Sequence, residues 1–289
     1  MNTSKDSLAF WASIVGTVIA VLGLVRSRAW LIGFGVLLFL VSVGAVLYAR
    51  RQRQLLLSAA IKVDGRSIDA LNIASLRRRL NRSLVIQEAH HLAEIDGEDL
   101  SITWQYSGYC RAACETAIEF SIDTDNNIPF ENLRCFGYDL GHDPHRKHPI
   151  RPILIGPEGL SKKIALPFLE PLTAQHPFSV LLTCELPGCM KGGWEYYTST
   201  MSFDQERVNR YATRLVFRHG APFWLRVYDC DDLGGVRLLR DLRPARATDD
   251  LSEYLDAAEG VPARSARIYV FERARPLGRS LQARSQRAA

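Results

Sequence analysis

Two close cysteine pairs, Cys110 with Cys114 and Cys184 with Cys189, carry the first chemistry this sequence offers. Four thiolates can hold a tetrahedral zinc ion if the two segments meet in space. Their spacing is looser than that of regular zinc sites, so zinc is a candidate cofactor and none is firmly implied. The plainer expectation is thiols that are buried or sit in loops. A second polar group crowds YDLGHDPHRKH, with Asp139, His142, Asp143, His145 and His148. Imidazoles and carboxylates bind metals and move protons near neutral pH. Pro144, Arg146, Lys147 and Pro149 mark the same stretch as a solvated connection, and its spacing matches no metal motif. GPEGLSKK at 156–163 lacks the Gly-Lys-Ser/Thr order of a phosphate loop and is expected to be a turn. His90 and His91 project to opposite sides of any strand that carries them. No Gly-x-Ser-x-Gly, His-Glu-x-x-His or catalytic Cys/His spacing is present, which disfavours an enzyme.

The elements that must position these residues are strands. Segments 84–95 and 100–106 flank Asp96-Gly97, a short-range hairpin signal. Further β-rich runs follow at 116–122, 133–138, 150–155, 162–169, 178–184, 194–201, 211–217, 223–228 and 267–272. Alternation such as Ile102-Thr-Trp104-Gln-Tyr106 gives each a buried face. Regular βα alternation is missing, which argues against a nucleotide-binding α/β domain. The sequence therefore predicts an antiparallel sandwich or barrel over 84–272. It predicts a helix at 249–259, and a basic amphipathic helix over 67–82 within a juxtamembrane linker, 54–83. A disordered basic tail is expected over 273–289.

The 289 residues are 47% hydrophobic, but the apolar residues are unevenly spread. Residues 8–25 and 29–49 are two uncharged apolar runs joined by Arg26-Ser27-Arg28. Each matches the length of about 20 residues that a bilayer core demands of a helix. The expectation is a two-helix transmembrane hairpin over 1–53, followed by a mainly-β cytosolic domain. Ala12, Gly16 and Ala20, with Ala29 and Gly33, form small-residue stripes suited to close helix packing, within the hairpin or between protomers. Arg50, Arg51 and Arg53 follow the second run. They place both termini and the β domain in the cytoplasm and set these side chains at the membrane surface. Residues 88–272 hold 19 Lys+Arg against 28 Asp+Glu, and so acidic a body argues against a nucleic-acid groove. Thirty Arg against six Lys suggests a GC-rich bacterial genome.

Two N-terminal spans, a short link and a β-rich cytosolic domain together resemble the bacterial two-transmembrane β-rich antiphage effectors. The resemblance covers the architecture of the whole chain and rests on no diagnostic motif. It implies a β domain that senses a cyclic nucleotide, and spans that oligomerise to disrupt the inner membrane. None of that family's ligand residues maps onto positions here. Three functions are therefore expected to compete. One is a membrane-anchored sensor or effector whose β domain binds a nucleotide signal or protein partner and whose hairpin assembles a homo-oligomer in the lipid bilayer. The others are a static membrane scaffold and a membrane-tethered metal-dependent enzyme.

Overall fold

The structure is a computed structural model that describes residues 15, 17–18, 29–57, 60–77, 80–112, 114–124, 127–141, 147–156 and 159–274. Its contacts divide the chain into two units, 1–59 and 60–289.

In the first unit the long element is helix α1 (Ala29–Leu57). The expected two-helix transmembrane hairpin is not supported. Among the described residues, no helix is long and apolar enough to cross a membrane. The first run, 8–25, lies outside the described residues apart from Val15, Thr17 and Val18. Without a crossing helix among the described residues, membrane insertion and a two-pass topology lose their support. Ala12, Gly16 and Ala20 lie outside the described residues, as do the side chains of Ala29, Gly33 and Arg53. Arg50 and Arg51 are exposed on α1.

The second unit is built almost wholly of strands. It opens with a hairpin, β1 (Ala60–Val63) and β2 (Arg66–Asn72), and one short helical turn, α2 (Ile73–Leu76). The expected helix over 67–82 is therefore a strand that ends in a single turn. Asp64 and Gly65 both take positive φ, 49° and 78°. That is the requirement of a tight two-residue hairpin turn, so Asp-Gly joins two strands here. Ile61, Val63, Ile68, Leu71 and Leu76 are buried against Tyr228, Cys230, Ala266, Ile268 and Val270. The hairpin is thus part of the β body, which begins near residue 60 and not at 84.

The main sheet contains β3 (Leu84–Asp96), β4 (Asp99–Cys110), β6 (Phe136–Asp139), β7 (His148–Ile150), β10 (Pro177–Leu186), β11 (Trp194–Arg218), β12 (Trp224–Asp231), β13 (Val236–Asp241), β14 (Arg246–Ala247) and β15 (Leu251–Glu272). Its order is β13-β12-β15-β11-β3-β4-β10-β6-β7, with β14 beside β15. All pairs are antiparallel except β11 with β3. A second sheet holds β5 (Glu115–Asp123), β9 (Ser161–Leu172) and β8 (Ile153–Leu154) in the order β5-β9-β8. The helix expected at 249–259 is the start of β15. Its Leu, Tyr and Ala spacing fits a helical face, but twenty ladder positions against β11 decide the outcome. Ile268 and Val270 face the β1–β2 hairpin, while Tyr269 and Phe271 face the main core. That two-sided burial accounts for the unbroken apolar run at the end of β15.

β11 carries two different environments. Residues 207–218 pair with β15 on one side, and from Arg210 onward with β3 on the other. Residues 194–202 pair with β15 alone, and a bulge separates the two parts. The outer edge of this first part borders a concavity beside the aromatic core, opposite β5.

Candidate functional site

The two cysteine pairs expected to bind metal do not form as expected. Cys184 forms a disulfide with Cys135, not a pair with Cys189. The ladder of β10 with β6 sets Thr183 opposite Phe136, which brings these two neighbouring cysteines side by side. Cys110 is buried, Cys114 exposed and Cys189 half-buried. Of the loop cluster, His142, Asp143 and His145 lie outside the described residues. Asp139 is buried at the end of β6, where it accepts the Gly141 N–H at 2.8 Å. His148 sits opposite it in the ladder of β6 with β7. Among the described residues, no group of three or more His, Cys, Asp or Glu could hold a metal ion.

A polar network lies inside the sheet where sequence patterns gave no sign of one. The hydroxyl of Ser199 and Nδ1 of His91 share a hydrogen bond. The Tyr211 hydroxyl bonds Thr213 and, at 2.9 Å, the Tyr269 hydroxyl, which donates to Asp256 at 2.8 Å. Arg240 closes the chain through an ion pair with Asp256. Serine beside histidine is the pairing of a nucleophile and its base. Here Ser199 and His91 are 1% and 3% exposed, sealed from the surface. Burial, and next the charge of His90, lower the His91 pKa to about 3 and keep the ring neutral. Burial pushes the Tyr211 hydroxyl up to about 12. The network ties β3, β11 and β15 together.

The concavity is a cleft with one floor and two walls. Its floor is the β4 face of Leu100, Ile102, Trp104 and Tyr106. One wall is β5 from Glu119 to Asp123 with Thr124 just after it, and the other is β11 from Glu195 to Phe203. Phe120 stacks on Tyr106 with ring centroids 5.2 Å apart and planes 7° apart, and Phe203 meets Tyr106 edge-on at 5.3 Å. These contacts hold both walls to the floor. The enclosed volume is about 100 Å³, well below the roughly 300–1,000 Å³ of common small-molecule pockets. Glu119, Asp123 and Glu195 give its rim an acidic character. The hydroxyl of Tyr197, another lining residue, is buried and makes no hydrogen bond.

One end of the cleft is already bridged. The Leu80 N–H donates to the Ser202 carbonyl at 2.9 Å, and Leu80 pairs with Phe203 in parallel fashion. The next residue, Asn81, serves the opposite wall. Its side-chain amide donates to the Glu119 carbonyl at 2.9 Å, and its side-chain oxygen accepts the Glu119 N–H at 2.7 Å. One amide side chain thus stands in for the backbone of a neighbouring strand. Leu80 through its backbone and Asn81 through its side chain tie β11 to β5, and Asn81, at φ 55°, opens the turn that its carbonyl closes by accepting the Leu84 N–H. Leu80 falls within the helix expected over 67–82, and a lone Asn gives no signal in a sequence.

No protein-family model matches the chain. No curated protein matches it. Among solved structures it is similar to the M1 zinc metallopeptidase from Deinococcus radiodurans, at 12% identity and a TM-score of 0.42, over 66% of this chain and 43% of that one. A two-domain M1 zinc metallopeptidase mutant bound to L-arginine gives 12% identity and a TM-score of 0.43 over the same shares. The chain therefore spans less than half the length of these structures. Overlap this loose carries no argument about reaction or metal.

Proposed function

We propose that the β body is a recognition module that binds a protein partner in the cleft between β5 and β11. The observation that carries this reading is the cleft's construction: an aromatic floor, an acidic rim and strand-edge walls, with the Ser199–His91 pair sealed beneath the sheet. The rim also weighs against an anionic nucleotide as the signal, since Glu119, Asp123 and Glu195 repel phosphate. This reading keeps the protein-partner alternative for the β domain and leaves out nucleotide sensing and membrane disruption. A photo-crosslinking residue in place of Ser121, compared in cells with one in place of Arg246 on β14, tests it. A discrete protein adduct formed only from position 121 is the expected result. Identical adducts from both positions would overturn the assignment of the cleft.

A further inference from the structure

Another pocket, which shares no residue with the cleft, lies between β13 and the middle of β15. Its volume is about 400 Å³, within the range of common small-molecule sites. Arg267 lines it from β15, and the exposed Arg237 and Arg240 line it from β13. Arg267 is only 8% exposed. A guanidinium is always charged and carries five donors, and a buried charge is ordinarily paired and hydrogen-bonded. Here Nε and Nη1 of Arg267 are buried with no hydrogen bond among the described residues. Asp229 of β12 sits opposite Arg237 in one ladder and opposite Arg267 in the other. Its carboxylate is 3.6 Å from each guanidinium, beyond hydrogen-bond reach. Its Oδ1 is buried and equally without a hydrogen bond. Asp229 is therefore shared between two arginines and holds neither closely.

We infer that this pocket binds a small organic carboxylate, with its headgroup against Arg267 and Arg237 and its apolar body along Leu239, Val261 and Pro262. These three residues give the pocket an apolar wall beside the arginines. A planar carboxylate matches the guanidinium fork and supplies the acceptors that Arg267 lacks. Charge selects the same class. Arg240 is paired with Asp256, which also accepts from the Tyr269 hydroxyl. Three guanidiniums thus meet two carboxylates, Asp229 and Asp256, which leaves a single positive charge. Glu259, the other acid of the lining, is exposed and solvated. A monoanion balances the excess. A phosphate monoester, carrying about −2, would overshoot it beside Asp229 and Glu259. The site does not depend on the cleft or on what binds there.

The test is calorimetric titration of the full chain with hexanoate, 1-hexanol, acetate and inorganic phosphate at fixed ionic strength. Saturable binding of hexanoate is expected, with each of the other three weaker by about tenfold or more, since each lacks the charge-assisted bonds, the apolar body or the matching charge. Arg267→Lys keeps the charge and loses the planar fork, and should weaken hexanoate by about tenfold. Arg237→Gln changes an exposed side chain that the fold does not need, and should weaken hexanoate by about threefold. It decides the matter if Arg267→Lys does not fold. No saturable heat with hexanoate, equal affinity for 1-hexanol or for phosphate, or unchanged affinity in Arg237→Gln would overturn the site. Acetate binding as tightly as hexanoate would overturn the role given to the apolar wall.

Discussion

At the residue scale, two buried polar side chains do structural work that their neighbours alone explain. His91 is neutral because burial lowers its pKa to about 3. Its folded value lies below the unfolded value near 6.5, so the unfolded chain binds the extra proton. The stability it contributes is full above pH 6.5 and is lost as pH falls from there toward 3. Between pH 6.5 and 5 the loss amounts to about 2 kcal/mol. Denaturant unfolding at these two pH values, on wild type and His91→Gln, checks this. The variant should show a shallower pH dependence, and an unchanged slope would contradict the assignment. Asn81 satisfies the donor and the acceptor of Glu119 at once. Asn81→Leu leaves both without their partner and should cost about 1–3 kcal/mol. Asn81→Asp keeps the acceptor alone and should fall between the two in the same unfolding measurement.

At the scale of elements, the β1–β2 hairpin is the piece most easily mistaken for an attachment. It covers Tyr228, Cys230, Ala266, Ile268 and Val270. A chain that starts at Ala60 should be soluble and unfold in one cooperative transition. A chain that starts at Ser83 exposes this apolar face and should aggregate or lose several kcal/mol of stability. Size-exclusion chromatography and thermal melts of the two separate these outcomes, and equal behaviour would contradict the hairpin's place in the core. Sequence patterns located β3 and β4 well, because alternation and a Gly-containing turn agree there. Observed Gly97 has φ 62°, as a tight turn requires. Patterns failed at 67–82 and 249–259 because short apolar spacings fit either period, and long-range ladders then decided. The Cys135–Cys184 pairing, 49 residues apart, was illegible for a similar reason: only the register of β6 on β10 creates it. The cleft was equally hidden. Its floor residues were visible as one face of a strand, but its walls arise where β11 outruns β3.

At the scale of the whole molecule, the account rests on one claim: the β body recognises a protein partner in the cleft between β5 and β11. At one end of that cleft Leu80 bonds β11 and Asn81 bonds β5. Amide hydrogen exchange on the full chain, read residue by residue with and without the protein captured by crosslinking at position 121, tests the claim most directly. Partner binding should slow exchange over 119–123 and 195–203 by at least about 10-fold and leave β13 and β14 unchanged. Unchanged exchange over 119–123 and 195–203, with protection elsewhere, would contradict the account.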